Sequence, residues 1–169
     1  MKSFKLDWVL VDELAIGRAP VKMSHLDLLH DAGIKAVLST CGPDEVIMPV
    51  GLDERFVHQH RVLPDHRTGR LPDLVELEAA LDALAALLQQ GPVYVHCVAA
   101  MERSPLVCLA WLVSRHRLTP QQALDYLMQI HPGTNPLAGQ LALLGRLGFN
   151  KSSPQSSVHG LPKPLHLPF

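Results

Sequence analysis

Charge of one sign, cysteine and long apolar runs are all scarce in this chain. Fifteen Lys and Arg residues are balanced by sixteen Asp and Glu residues, so the formal net charge is −1. This balance does not suggest nucleic acid or an anionic membrane as a partner. Three cysteines among 169 residues do not form a disulfide scaffold, and they indicate a cytoplasmic setting. The apolar runs are shorter than the roughly 20 residues that span a bilayer, and we expect no signal peptide.

The composition is nevertheless that of a folded protein. Apolar residues make up 47% of the chain and charged residues 18%, which is typical of a globular domain. The length of 169 residues suits one domain. Beyond residue 150, Ser, Pro and Gln become frequent and little apolar material remains. We therefore predict one catalytic domain over residues 1–150 and a flexible Pro/Ser-rich tail over residues 151–169.

Short apolar segments alternate with amphipathic ones along the first 150 residues. The clearest helix begins after Asp73, where Glu76 completes a capping-box pattern, and an apolar helix is predicted to start at Ser104-Pro105. Short segments that end near Leu10, Ile16 and His96 have the pattern of strands. Strands separated by helices predict an α/β fold with a central, mainly parallel sheet of about four to five strands flanked by helices.

One short segment carries the chemistry: it starts at His96 and Cys97 and ends at Arg103 and Ser104. It joins a predicted buried strand to the N-terminus of a predicted helix, where backbone N–H groups and the helix dipole favour an anion. The same surroundings lower the pKa of a cysteine thiol. An isolated cysteine is more often structural. An arginine six residues later can bind an oxyanion with two parallel hydrogen bonds, which favours a nucleophile in an anion-binding loop.

The pattern His96-Cys97-x5-Arg103-Ser104 resembles the CX5R phosphate-binding loop of the cysteine-dependent dual-specificity phosphatases. Trp8 to Pro20, Leu63-Pro64-Asp65, His131 to Thr134 and Gln140 resemble further segments of that family in the same order. The resemblance covers about residues 5–147. It implies a protein phosphatase that acts on phosphotyrosine, phosphoserine and phosphothreonine through a phosphocysteine intermediate, with no cofactor and no metal.

The resemblance also implies a role for each residue of the site. Cys97 is expected to attack phosphorus, and Ser104 to donate a hydrogen bond to its sulfur. Asp65 is expected to protonate the leaving group, although Asp44 and Asp53 are competing acids. His96 is expected to orient the loop through a hydrogen bond. The phosphoryl oxygens are expected to bind the Arg103 side chain and the backbone amides of Val98, Ala99, Ala100, Met101, Glu102 and Arg103.

Two residues depart from the pattern of the family. Ala100 stands where glycine is common, so a left-handed backbone there carries strain of about 1 kcal/mol or more. Glu102 stands where small or uncharged residues are usual, and its carboxylate is expected to turn away from phosphate and brace the loop. These departures keep open the alternative of a non-catalytic phosphate-binding pseudophosphatase.

Several further alternatives remain open at this point. The substrate could be a non-protein phosphomonoester, although the absence of loop lysines makes a lipid, and therefore a membrane partner, the weaker expectation. Sulfur transfer or arsenate reduction is disfavoured by the set of site residues. Cys41 could be a redox partner of Cys97 but is better explained as a buried cysteine, and Cys108 as core. A zinc site at His58 and His60 is a weak prediction because no third ligand is assignable.

Overall fold

The computed structural model describes residues 3–147. Within that range no helix combines the length and the apolar character needed to cross a membrane. The predicted tail over residues 151–169 lies outside the described residues.

A five-stranded sheet forms the centre of the fold. Its strands are β1 (Leu6–Leu10), β2 (Leu14–Gly17), β3 (Ala36–Ser39), β4 (Val57–His60) and β5 (Val93–His96). The spatial order is β1-β2-β5-β3-β4. Only the β1–β2 pair is antiparallel, and β2–β5, β5–β3 and β3–β4 are parallel. The predicted α/β fold with a mainly parallel sheet is confirmed.

Among the described residues, six helices cover the two faces of the sheet. They are α1 (Met23–Asp31), α2 (Leu52–Arg55), α3 (Leu74–Leu88), α4 (Arg103–His116), α5 (Pro120–Ile130) and α6 (Ala138–Leu144), with a 3-10 turn over His66–Thr68. One hydrophobic cluster joins α3, α4, α5 and α6 to one face, and a smaller cluster joins α1 and α2 to the other. Strands β2, β3 and β5 are therefore buried on both faces, which explains their short apolar sequences, whereas the edge strand β4 is partly exposed and polar.

The ends of two helices follow from local chemistry. Asp73 and Glu76 form the predicted capping box at the start of α3. The start of α4 differs from the prediction, because the helix begins at Arg103 and Pro105 occupies its third position. Proline costs little there, since the first N–H groups of a helix have no intrahelical acceptor. The earlier start draws Arg103 into the helix, so that the first turn forms one wall of the loop.

Helix α4 lies in the middle of the main hydrophobic cluster. Its residues from Arg103 to Val113 are buried without interruption. Strand β5, which precedes the loop, is also buried along its full length. The loop between them is therefore held at both ends by the most buried elements of the fold.

Candidate active site

The loop from Cys97 to Arg103, called the anion cup here, holds its carbonyl groups outward. Four of these carbonyls accept hydrogen bonds from groups outside the cup. The pairs are His96 Nδ1 to the Cys97 carbonyl (2.9 Å), Ala19 N to Val98 (3.1 Å), His131 Nε2 to Ala100 (2.7 Å) and Asn135 N to Met101 (2.7 Å). Because the C=O and the following N–H of a trans peptide point in opposite directions, outward carbonyls leave amides pointing inward. Converging amides are the usual backbone site for an anion.

The Cys97 sulfur lies at the base of the cup. The Ser104 hydroxyl donates to it at 3.3 Å, and the backbone amides of Ala100 and Ser104 also bind it. Burial opposes ionisation of Cys97, but these hydrogen bonds and the Arg103 charge outweigh burial and lower the pKa of the thiol. The arrangement favours a thiolate, which is the nucleophilic form of cysteine.

The other two cysteines have the opposite electrostatics. Burial raises the pKa of Cys41 to about 11, against the lowering effect of the nearby Arg103 charge. Burial also raises the pKa of Cys108, which is fully enclosed in α4. Cys108 therefore packs in the core and Cys41 is completely buried, and both agree with the interpretations preferred from the sequence.

Ala100 adopts a left-handed backbone with φ of +57°. A left-handed backbone at this position was expected to carry strain. The residue is also almost completely buried. His131 and its carboxylate partner Asp7, 2.7 Å from His131 Nδ1, hold the Ala100 carbonyl in place. The surrounding contacts thus maintain a conformation that the side chain disfavours.

We expect Ala100→Gly to leave stability almost unchanged. Relief of left-handed strain gains about 1–2 kcal/mol. Loss of a buried methyl group costs about 0.8 kcal/mol, and the freer unfolded chain about 0.4–1 kcal/mol more. The free energy of unfolding, measured with urea, should change by less than about 1 kcal/mol. Ala110→Gly, in the buried right-handed backbone of α4, is the control and should lose about 2 kcal/mol. Equal losses in both variants would show that Ala100 carries no strain.

The Glu102 carboxylate points away from the cup. Its Oε1 accepts from Gln140 Nε2 at 2.8 Å, and its Oε2 lies 2.8 Å from His66 Nδ1. The side chain is 11% exposed and connects the cup to α6 and to the 3-10 turn. The expected bracing position is what the structure shows, because both carboxylate oxygens of Glu102 are bound by residues outside the cup.

Arg103 is held by a carboxylate that the sequence analysis missed. Its Nη1 and Nη2 donate to Glu45 Oε2 and Oε1 at 2.8 and 2.9 Å, forming a bidentate pair. The Gly42 amide also donates to Glu45 Oε2 at 2.6 Å, which fixes the carboxylate. Hydrogen bonds from Arg103, opposed by burial, lower the pKa of Glu45. The guanidinium is therefore oriented before any anion binds.

Asp65 lies beside Arg103 in the same cleft and is nearly buried. Arg67 Nε donates to its Oδ2 at 2.7 Å and the Arg67 amide to its Oδ1 at 3.0 Å, while Arg103 Nη2 lies 3.6 Å from Oδ2. The Arg67 hydrogen bonds, opposed by burial, lower the pKa of Asp65. A general acid must carry its proton, so this environment restricts such a role to acidic pH.

Replacing Arg67 with glutamine should therefore extend activity to higher pH. Loss of the guanidinium removes the main cause that lowers the pKa of Asp65, so the carboxyl keeps its proton to a higher pH. In the pH profile of kcat/KM for an alkyl phosphate, the fall on the alkaline side should move to higher pH. Activity at pH 7 should therefore rise several-fold. Arg61→Gln removes an equal charge from the neighbouring exposed surface and should leave this fall in place. An unchanged fall in Arg67→Gln would exclude Asp65 as the acid.

The other candidates lie apart from the cup. Asp53 contacts His58, 2.6 Å away, and not the cleft, and Asp44 is exposed. The rings of His58 and His60 lie with their centroids 4.5 Å apart and are tilted by 53°. Within residues 3–147 no group of three or more His, Cys, Asp or Glu residues could hold a metal ion.

The cleft above the cup combines the predicted residues with some that were not predicted. It has a volume of about 490 Å³. Ser104 and Ala100 lie behind it, against the sulfur. The lining consists of Asp65, His66, Arg67, Cys97, Val98, Ala99, Met101, Glu102, Arg103, Asn135 and Leu137. The cleft can accept an anion at its base and a larger group at its rim, which is the geometry of a cysteine-based phosphatase.

Comparison with known families agrees with this geometry. The family model described as the dual specificity phosphatase catalytic domain matches residues 17–147. The chain therefore belongs to the dual-specificity phosphatase family. Its class is that of the cysteine-based phosphoric monoester hydrolases.

Two curated relatives come from Arabidopsis thaliana. The phosphatidylglycerophosphate phosphatase PTPMT2 is 28% identical over 128 residues, which cover 74% of this chain and 55% of the relative. The phosphatidylglycerophosphate phosphatase PTPMT1 is 25% identical over 126 residues, covering 74% of this chain and 37% of the relative. The chain thus spans about half the length of one relative and about a third of the other.

Solved structures share the fold at lower identity. The structure of Tk-PTP in its active form has a TM-score of 0.72 at 22% identity, covering 83% of this chain and 94% of that one. PTPMT1 in complex with PI(5)P has a TM-score of 0.69 at 22% identity, covering 79% and 88%. The human tyrosine phosphatase-like serine/threonine/tyrosine-interacting protein has a TM-score of 0.71 at 20% identity, covering 83% and 93%.

Proposed function

We propose that this protein hydrolyses phosphoric monoesters through a phosphocysteine intermediate on Cys97. The observation that supports this most strongly is the set of groups around one sulfur. Ser104 Oγ–H binds the sulfur at 3.3 Å, and Arg103 stands oriented by Glu45 at the same cup. A non-catalytic phosphate reader would not need a sulfur with a lowered pKa.

The reaction proceeds in two displacements. Cys97 Sγ attacks phosphorus, the P–O bond to the leaving group breaks, and the proton of Asp65 goes to the departing oxygen. Arg103 and the inward amides bind the three equatorial oxygens, whose charge develops in the transition state. Water then attacks phosphorus and gives its proton to the Asp65 carboxylate. The S–P bond breaks, inorganic phosphate leaves, and Ser104 Oγ–H stabilises the returning thiolate.

Phosphorylated protein is the first substrate candidate. A phosphorylated side chain would place its phosphate in the cup and its neighbouring backbone along the rim, where Met101 and Leu137 offer apolar contacts. The cup carries no lysine, which suits a substrate with a single phosphate group.

A lipid phosphomonoester is the second candidate, and two observations favour it. Both curated relatives are phosphatidylglycerophosphate phosphatases by name. The segment that follows Glu45 also exposes apolar side chains, with Ile47 at 88% and Val50 at 87%. A lipid headgroup with one terminal phosphate on glycerol needs no more lysines in the binding loop than a phosphopeptide does.

A comparison of substrates separates these candidates. Purified protein is given phosphotyrosyl, phosphoseryl and phosphothreonyl peptides and vesicles that contain phosphatidylglycerophosphate, with phosphate release as the readout and Cys97→Ser as the blank. The proposal expects release from at least one class without added metal, and inhibition by vanadate. The ratio of kcat/KM values between the classes identifies the substrate. Binding of these substrates with no release from any would support the pseudophosphatase alternative.

A further inference from the structure

A chain of four hydrogen bonds connects an exposed carboxylate to the first carbonyl of the anion cup. Asp53 Oδ1 lies 2.6 Å from His58 Nδ1, and His58 Nε2 lies 2.8 Å from Ser39 Oγ. Ser39 Oγ lies 2.7 Å from His96 Nε2, and His96 Nδ1 lies 2.9 Å from the Cys97 carbonyl oxygen. The Asp53 side chain is 83% exposed and that of His58 only 7%. Ser39 and His96 are completely buried.

The sheet places these residues in one row. Ser39 pairs with His96 on β5 and with His60 on β4, because β3 lies between those two strands. His58, two residues before His60 on the edge strand β4, projects to the same side as His60, because their ring centroids lie only 4.5 Å apart. The row therefore runs from the edge of the sheet to the strand that ends at the nucleophile.

Counting donors fixes the direction of the three bonds between His58 and the Cys97 carbonyl. A carbonyl only accepts, so His96 Nδ1 carries a proton and donates it to the Cys97 carbonyl oxygen. Burial lowers the pKa of His96 to about 4, so its ring is neutral near pH 7 and Nε2 accepts the Ser39 proton. The Ser39 hydroxyl has only one proton, so His58 Nε2–H donates to Ser39. The contact of Asp53 with His58 Nδ1 holds the ring in the orientation that brings Nε2 to Ser39.

From this geometry we infer that Ser39 and His58 are positioning residues for the nucleophile, acting on the cup through His96. Through the Ser39 hydroxyl they fix the tautomer and the orientation of the His96 ring. The ring in turn holds the Cys97 carbonyl outward, and the next amide points into the cup. The inference rests on the proposed reaction at Cys97.

The bond from His58 to Ser39 is the link of this chain that a substitution can break without touching the buried His96. His60, whose ring centroid lies 4.5 Å from that of His58, belongs to the same row, and Lys35, Glu54 and Arg55 line the surface cleft beside His58 and Asp53.

The test compares His58→Ala with His58→Gln, since the glutamine amide can still donate a hydrogen bond to Ser39. His60→Ala is the matched control, because it removes a neighbouring imidazole outside the chain. The readouts are kcat and KM for an aryl phosphate, and the pH profile of Cys97 alkylation by iodoacetamide. The alkylation profile does not depend on any substrate.

His58→Ala should lower kcat about five- to tenfold, the rate equivalent of one hydrogen bond, with KM little changed. It should also move the alkylation profile of Cys97 to higher pH. His58→Gln should restore both values, and His60→Ala should leave both close to wild type. Ser39→Ala, if it folds, should match His58→Ala.

Each other outcome overturns one specific claim. A wild-type alkylation profile in His58→Ala, or an equal loss in His60→Ala, would exclude the positioning role while leaving the proposed phosphatase reaction intact. A failure of His58→Gln to restore what His58→Ala loses would mean that His58 acts only through packing. If the alkylation profile moves as expected but no phosphomonoester is hydrolysed, the positioning role stands and the proposed function fails.

Discussion

Cys97→Ser should lower the turnover of an aryl phosphate by roughly 10⁴-fold or more, the usual effect of removing a catalytic nucleophile. Serine keeps the size of the side chain but replaces a thiol of lowered pKa with a hydroxyl that stays neutral. The amides and Arg103 remain in place. The variant should therefore still bind tungstate, measured by calorimetry, with an affinity close to that of the wild type.

Cys108→Ala is the matched control for this prediction. Cys108 is buried on α4, behind the cup, and does not line the cleft. Its replacement should cost some stability but leave turnover close to wild type. Turnover in purified Cys97→Ser that approaches the wild-type rate would exclude Cys97 as the nucleophile.

Arg103→Lys should lower kcat/KM by on the order of 10²–10³-fold, equivalent to about 3–4 kcal/mol. Lysine keeps the charge but cannot bind Glu45 through two parallel bonds while presenting further donors to an anion. The bidentate pair at 2.8 and 2.9 Å would be lost, and Glu45 would keep only Arg67 and the Gly42 amide as partners. The measurement is steady-state kinetics with an aryl phosphate.

The matched control is Arg55→Lys. Arg55 also donates to a carboxylate at 2.8 Å, that of Asp27, but on the opposite side of the sheet from α4. This variant should keep kcat/KM within about twofold, since an exposed ion pair contributes little. If kcat/KM falls less than tenfold in Arg103→Lys, the positive charge alone, and not the planar guanidinium, is what the cup requires for catalysis.

The parts of the site that could be predicted are those encoded in adjacent residues. The strand, loop and helix around Cys97 follow one another along the chain, so spacing alone indicated an anion cup. The capping box at Asp73 is also local, because it depends on a few neighbouring backbone positions. The left-handed backbone at Ala100 was expected from the resemblance, since the family commonly has glycine there. The start of α4 was misplaced because the cup itself draws Arg103 into the helix.

The residues that were missed reach the site through tertiary structure. Glu45 lies 58 positions before Arg103 and meets it only because β3 and β5 are neighbours in the sheet. Its position just after a strand at the edge that carries the loop was the one available signal, since such edges collect binding residues. The contact of Ser39 with His58 depends on the register between β3 and β4. A sequence without its pairing partners does not reveal that register.

Trapping the covalent intermediate tests the central claim most directly. Ser104→Ala removes the hydroxyl that binds the sulfur at 3.3 Å, so the thiolate becomes a poorer leaving group and the second displacement slows. Acid quenching of this variant during turnover of an aryl phosphate, followed by peptide mass spectrometry, should find one phosphoryl group on the peptide that contains Cys97 and on no other cysteine peptide. A burst of product with the phosphoryl group on another residue, or steady turnover with no phosphorylated peptide, would contradict the account.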